Sequence, residues 1–347
     1  MQIQSWFITG QSFHFGLHGM GQEETSLSML SDSLFAALVA RLARSAGAAA
    51  AERFCQPFVE GKPPFTLSST FPRAGSVLFF PPPISSRRPP TDSTKFKDPK
   101  AFKRVDYVSE ELFRSLLAGK ALSELSNLRF LQGEKLWLSE AEFKRLPARL
   151  QEKDAQVWEQ SQRPRVTLDR ASQASTLFFT GQVTFAPDCG LWFGIQWLDA
   201  DETLRHKVAG LLSDLALAGL GAERNSGLGG AEIKPAGNLD LPDPIGAWMT
   251  LGRYLPAATE ISLLEHEGSS YALKTVGGWL DSPVATGQRR KAINLLDEGS
   301  VFGAWPGRTP GRMEDVRPSY QTDPDPLGHP VYRNGFALAV GLKGGEA

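Results

Sequence analysis

L-A-L-A-G-L-G-A-E-R-N-S-G-L-G-G-A-E-I, residues Leu215 to Ile233, runs an apolar helix into glycines and out again into an apolar, strand-like segment. Upstream, Leu204, Val208, Leu211, Leu212 and Leu215 recur at i, i+4, i+7, i+8 and i+11, one face of an amphipathic helix. Gly219 and Gly221 stop it. Gly227, Gly229 and Gly230 follow, with Arg224, Asn225 and Ser226 held between the two sets. Glycine reaches positive φ without a Cβ penalty and lets backbone approach a ligand closely, so this loop can offer main-chain N–H groups to an anion. A helix C-cap followed by a wide turn is the purely structural alternative. Rossmann and Walker loops run strand, glycines, helix, whereas here the helix comes first and no G-K-S/T follows. A nucleotide cofactor is therefore not expected.

Working outward, Ser175 to Phe185 and Leu191 to Leu198 are apolar strands separated by Ala186-Pro187-Asp188-Cys189-Gly190, which reads as a hairpin turn. Before them, Arg165 to Arg170 alternates, placing Val166 and Leu168 on one face and Arg165, Thr167 and Asp169 on the other. Gln2 to Thr9 is a first strand. Ser31 to Gly47 is a helix, with Ser31 or Ser33 as N-cap, Leu34, Leu38 and Leu42 on one face, and Gly47 past its end. Asp32 reads as a favourable charge at the helix N-terminus rather than a catalytic carboxylate. Val77 to Phe80 is a short strand closed by Pro81-Pro82-Pro83, Glu110 to Ala118 is helical, and Ala141 to Gln160 is a solvated helix or linker. The order is that of an α+β, ferredoxin-like βαββαβ unit of the RNA-recognition type, with its middle expanded. After Pro242, strand-like segments at Ala247 to Gly252, Tyr271 to Gly277 and Phe336 to Leu342 mark a smaller, loop-rich second domain. The predicted boundaries are 1–240, with an insertion at about 85–165, and 241–347.

A chain of 347 residues with 41% hydrophobic composition has enough apolar material for about two packed domains. A formal charge of -1 creates no global field, so nucleic-acid contact must come from local basic patches. Cys55 and Cys189 are too few for a disulfide framework or a cysteine zinc site, which suits a reducing compartment. Met1 to Gly10 lacks a signal-peptide pattern and no apolar run approaches a membrane span, so a cytoplasmic location with no membrane contact is expected.

Ser85 to Val105 holds Arg87, Arg88, Lys95, Lys97, Lys100, Lys103 and Arg104 against Asp92 and Asp98. Phe96 and Phe102 among these cations fit a segment that stacks on bases and neutralises phosphates; a solvated loop is the alternative. His14 and His18 form H-x3-H in a glycine-broken stretch without a third ligand, so no metal is expected. His14 alone is a candidate general base for RNA cleavage, or a packing residue.

Phe13-His14-Phe15-Gly16, Ser31-Asp32-Ser33-Leu34-Phe35, Arg165 to Arg170, the glycine loop, Gly278-Trp279, Arg290-Lys291, Glu298 to Phe302 and Pro330 to Ala337 fall in one order. In that order the chain resembles the repeat-associated mysterious proteins of CRISPR systems, and within them the guide-capping subunits of type III-A Csm effector complexes. The resemblance implies two ferredoxin-like domains, the second divergent. It implies binding of the repeat-derived 5′ tag of a crRNA, contacts to a large polymerase-type subunit and a backbone subunit, no catalytic activity, and no cofactor. The RNA contacts expected from loop, insertion and landmarks together are His14, Ser31, Lys95, Lys97, Lys103, Arg104, Arg165, Arg170, Arg224, Asn225, Ser226, Gly227, Gly229, Arg290, Lys291, Tyr332 and Arg333. This chain departs from the family pattern in having Glu223 and a plain Gly229-Gly230-Ala231 in the loop, and no lysine among the prolines at Pro81. A crRNA-processing endoribonuclease of the same superfamily is the alternative; it would recruit His14 or His18 with a nearby Lys or Arg. The capping subunit of a type III-B or III-D complex is another.

Overall fold

In the computed structural model, which describes residues 1–16, 24–87, 101–280, 287–319 and 327–343, the first strand, β1 (Gln2–Thr9), buries Ile3, Ser5, Trp6 and Ile8. Helix α1 (Ser31–Ala46) packs Leu34, Leu38 and Leu42 inward, as their spacing predicts, and ends at Gly47 with φ 87°. The predicted serine cap is not used. Leu30 is the N-cap, and Ser31 sits inside the first turn, its N–H donating to Ser69 Oγ at 2.9 Å. Helix α2 (Ala48–Val59) follows directly; its alanine start hides it from periodicity, but Phe54 and Phe58, four apart, give it a buried face.

Next come β2 (Phe71–Ala74), β3 (Val77–Phe80), β4 (Tyr107–Ser109), α3 (Glu110–Leu117), β5 (Leu128–Leu131), β6 (Leu136–Ser139), β7 (Trp158–Leu168), β8 (Ser175–Phe185) and β9 (Cys189–Trp197). Helix α4 (Glu202–Ala218) and β10 (Glu232–Asp240) complete the run. The main sheet has the order β10-β1-β9-β2-β3-β4-β6-β5, with Phe65–Leu67 also paired to β9. Its first four strands alternate with α1 and α4 as strand, helix, strand, strand, helix, strand. Trp6 lies opposite Phe193, and Ile8 opposite both Leu191 and Ile233.

Two readings of local structure are corrected. The strands either side of Ala186 to Gly190 are not a hairpin: β9 pairs with β1 and β2, while β8 pairs over eleven residues with β7. The turn, with Asp188 at φ 59°, carries the chain from one sheet to another because β9 is buried from Cys189 to Ile195 and belongs in the core. Residues 107–160 are likewise no bare insertion or linker. β4, β5 and β6 extend the main sheet, and Phe102 packs edge-on to Trp137, centroids 5.5 Å apart, in a core shared with Phe80, Phe113 and Trp192. Phe102 is 1% exposed and cannot stack on a base. Arg104 pairs with Glu134 at 3.0 Å; Phe96, Lys95 and Lys97, and the side chain of Lys103, lie outside the described residues.

The C-terminal part contributes small sheets, among them Trp248–Thr250 between Val301–Phe302 and Ala339–Gly341, and the hairpin β11 (Leu273–Val276) with β12 (Ile293–Leu296). Met249, Leu251, Leu338 and Val340 share one core with Ile3, Phe71 and Trp192, so the two parts of the chain are fused by apolar packing. Polar ties add to it: Arg253 N–H donates to Ser31 Oγ at 2.8 Å, and Ser69 Oγ donates to Glu298.

Candidate nucleic-acid interface

The glycines after α4 serve first to bring three backbones together. Leu220 N–H donates to Gly229 O at 2.8 Å, Gly229 N–H to Ser12 O at 2.9 Å, and Ala222 N–H to His14 O at 2.9 Å. A Cβ on Gly221 would overlap His14 O, and one on Gly229 would overlap Leu220 O; both residues sit at positive φ. Ser226, Gly227 and Leu228 N–H groups also bond inside the loop. The expected anion cradle of main-chain N–H groups is therefore largely used up by the fold, and Gly229 is buried. What the loop presents outward is side chain: Arg224, exposed, beside exposed Asn225 and Gly227.

Arg224 opens onto a cleft of about 590 Å³ between α1, the glycine loop and the β11–β12 hairpin. Its rim carries Arg41, Arg44, Arg224, Lys274 and Arg290, its floor Arg253 and Arg333, and Asp32 is the carboxylate in its lining. Elements far apart in sequence thus converge on one basic surface in a chain of net charge -1. Two of the rim arginines are held by hydrogen bonds. Arg41 makes a bidentate pair with Asp214 on α4, at 2.7 and 2.8 Å, which holds the Asp214 carboxyl below its usual range. Arg290 N–H donates to Gly278 O at 3.0 Å, fixing the base of the hairpin. Trp279 stands at the lip, 43% exposed, with the Arg289 guanidinium 4.9 Å from its ring centroid.

On the floor, Arg253 is 2% exposed between Asp297 and Glu298, and burial pushes the Glu298 carboxyl up against the lowering influence of Arg253 and Ser69. Arg333 Nη1 donates to Asp32 Oδ2 at 2.9 Å. A second recess, about 280 Å³, lies between the β7–β8 hairpin and the loop and includes Arg163, Arg165, Thr180, Gln182 and Ser226. There Arg165 bonds both Glu223 and Ser226, tying hairpin to loop.

Of the predicted RNA contacts, the cleft gathers Arg224, Arg290 and Arg333, and the neighbouring recess Arg165 and Ser226. His14 and Ser31 are corrected, while Tyr332, Lys291 and Arg170 lie away from the cleft. His14 is 3% exposed with Nδ1 2.7 Å from Gly181 O, a packing histidine; Ser31 is buried and engaged with Ser69 and Arg253. Tyr332 is half-buried against the core, Lys291 N–H donates to Val316 O outside the cleft, and Arg170 sits exposed at the tip of the β7–β8 hairpin. The cleft residues not anticipated are Arg41, Arg44, Arg253, Lys274 and Trp279. Arg41 and Arg44 were legible, since they lie three apart on α1 along one edge of its leucine face, with no carboxylate after Asp32. Arg253 and Lys274 were not, because only tertiary packing brings them here. Among the described residues no group of three or more His, Cys, Asp or Glu is arranged to hold a metal, and no helix is long and apolar enough to cross a membrane.

Comparison with known proteins adds to this geometry. Residues 245–342 match the family model of the CRISPR Csm4 C-terminal domain. The chain is 23% identical over 313 residues to the CRISPR system Cms protein Csm4 of Thermococcus onnurineus (strain NA1), covering 90% of this chain and 91% of that one. Its fold is similar to a chain of the crystal structure of the Csm3-Csm4 subcomplex in the type III-A CRISPR-Cas interference complex, with TM-score 0.64, 18% identity, and 98% and 100% of the two chains covered. A chain of the Csm1-Csm4 cassette in complex with cA4 is similar with TM-score 0.58 and 18% identity over 100% of both chains.

Proposed function

We propose that this chain, which matches the Csm4 C-terminal domain model and is similar to Csm4 along nine-tenths of its length, is a RAMP-type subunit of a type III Csm effector complex and holds the 5′ repeat-derived tag of the crRNA there. The observation that carries this reading is the cleft. Arg41, Arg44, Arg224, Lys274 and Arg290 ring a groove whose lining offers one carboxylate, and an exposed tryptophan stands at its lip, the combination of phosphate neutralisation and stacking that single-stranded RNA requires. The fold reading that goes with it is two ferredoxin-like, RNA-recognition-type units, of which the second is reduced to short strands.

The relatives are solved as a Csm3-Csm4 subcomplex and as Csm1-Csm4 cassettes, which supports a bridging position between a backbone subunit and a large subunit in a type III-A complex. The chain acts in this reading without catalysis. Of the two histidines an endoribonuclease would recruit, His14 is enclosed and hydrogen-bonded to Gly181, which supports this reading, and His18 lies outside the described residues.

The test is co-expression of this chain with its large and backbone subunits and a repeat-containing guide. The parent should retain guide RNA, crosslink its 5′ tag through the Arg224 and Lys274 segments, and leave repeat RNA uncut. Lys274→Ala with Arg224→Ala should leave subunit association intact and flatten the salt dependence of RNA binding by about 1.4, at roughly 0.7 per lost phosphate contact on a single strand. An unchanged slope, or a tag crosslinked elsewhere, refutes the cleft. RNA ends bearing 2′,3′-cyclic phosphate that depend on this chain refute the non-catalytic role.

A further inference from the structure

We propose that the recess between the β7–β8 hairpin and the glycine loop receives one base of the tag, and that Arg165 reads it there as a guanine. The inference rests on the RNA-binding role above and gives it a base-specific contact.

The observation is the way Arg165 is held. Its Nη1 donates to the Glu223 carboxylate and to Ser226 Oγ, and its guanidinium carbon lies 5.9 Å from the Phe178 ring centroid. Its Nε and Nη2 have no partner among the described residues, and neither is closed to solvent. The side chain is 32% exposed and lines the recess. One corner of the guanidinium is thus fixed while the Nε–Nη2 edge, two parallel donors, stays open. Glu223 sits at φ 57°, a left-handed conformation uncommon in a residue with a Cβ, and its carboxylate also accepts from Ser226 Oγ at 3.0 Å. It is a positioning residue that sets the plane of Arg165.

Charge and shape favour a base over a phosphate at that edge. Glu223 offsets the charge of Arg165 on the same guanidinium, so a phosphate there would meet a carboxylate as well as a cation, whereas a neutral base edge meets only the donors. The register pairs Arg163 with Thr180 and Arg165 with Phe178, which puts these residues on one face of the hairpin, and Leu228 on the loop adds apolar surface for a flat ring. At about 280 Å³ the recess falls just below the ~300–1,000 Å³ of drug-sized ligand sites, the scale of a single base. Exposed Arg163 remains for that nucleotide's own phosphate. Two parallel donors call for two adjacent acceptors. Guanine has them in O6 and N7, adenine sets an amino donor beside N7, and pyrimidines lack N7. A repeat-derived tag has one sequence in every guide, so a base contact is useful there.

The test uses the reconstituted complex and guides in which each tag position in turn carries each of the four bases. One position should prefer guanine by about tenfold. At that position 7-deazaguanine, with C–H in place of N7, should bind several-fold more weakly than guanine, and inosine, which keeps O6 and N7, should match guanine within about twofold. Arg165→Lys keeps the charge and removes the fork, so the preference should fall below about threefold. Glu223→Ala releases Arg165, and should reduce the same preference while steepening the salt dependence by about 0.7, because an uncompensated arginine takes a phosphate. A merely structural Glu223 would not move that slope. A parent equally tolerant of all four bases at every tag position overturns the assignment, as does a guanine preference that survives Arg165→Lys. A loss that follows the N2 amino group instead of N7 also overturns it, and so does an Arg165→Lys complex that weakens on all guides alike, the mark of a phosphate contact. Should Arg165→Lys fail to assemble, the parent's base scan and Glu223→Ala decide by the same criteria. A parent that retains no guide at all refutes the RNA-binding role itself, a separate result from indifference to the base.

Discussion

Gly221 and Gly229 show how one residue type can be read correctly for geometry and wrongly for purpose. Their positive φ was legible from the glycine density after an apolar helix, but the approach it permits is to His14 O and Leu220 O, not to a ligand. Gly229→Val should therefore cost stability first, on the order of 1–3 kcal/mol from the forced φ alone and more from the overlap with Leu220. Arg224→Ala should leave the melting temperature within a degree or two and weaken RNA binding modestly. If Gly229→Val melts with the parent, the loop is looser than its hydrogen bonds imply. Phe102 gives the converse lesson. Its lysine and arginine neighbours suggested stacking on bases, yet the ring is enclosed by Trp137, and only tertiary context could show that. Phe102→Ala should lower stability by about 3–5 kcal/mol with no selective loss of RNA contact. A variant that stays as stable as the parent but binds less RNA would restore the stacking role.

At the scale of elements, the hairpin of β7 and β8 is the least self-sufficient part of the molecule. Its register pairs Val166 with Leu177 and Pro164 with Phe179, so one face of its outer half is apolar; Val166, Leu168 and Leu177 are 58%, 67% and 59% exposed. The opposite face carries Arg165 to Glu223 and Ser226. The alternation in Arg165 to Arg170 was readable, but alternation does not say which face meets the body, and here the charged face does. Contiguous apolar surface of this kind drives association. Replacing Val166, Leu168 and Leu177 with threonine should leave the melting temperature nearly unchanged and reduce self-association of the isolated chain by sedimentation velocity. Equal sedimentation of parent and variant would remove the hairpin as the cause. The helices α1 and α4 were the most legible elements because a long 3.6-residue pattern is redundant. β4, β5 and β6 were hidden because strands of three or four residues carry too few alternations to be counted.

Over the whole molecule, the predicted division near residue 240 is a division of sequence pattern, across which the core continues. Leu338 and Val340 share a cluster with Ile3 and Trp192, and the Arg333–Asp32 pair joins residues 301 apart. The chain should unfold in one calorimetric transition. Cys55 and Cys189 provide a second reading of the same event. Both are buried, and burial pushes the Cys55 thiol up to about 12 and raises Cys189 as well, so neither should alkylate at pH 8 until the whole chain opens. Two calorimetric peaks, or one thiol labelling well before the other, would show that the parts open separately. The cleft was the hardest feature to foresee because its seven cations come from α1, the glycine loop, Arg253, the β11–β12 hairpin and Arg333, each unremarkable alone.

The position of β1 in the sheet also sets a clock. Its two neighbours are β9 and β10, and the bond from Ser5 Oγ to Gly237 O spans 232 residues. At roughly 5–20 residues per second of synthesis, a strand bearing Ile3, Trp6, Phe7 and Ile8 waits about 10–50 s between emerging from the ribosome and meeting its last partner. β1 is paired on both edges only once β10 has been made. A nascent chain of this design should bind a holding chaperone for that interval, and slowing translation upstream of β10 should lengthen the association.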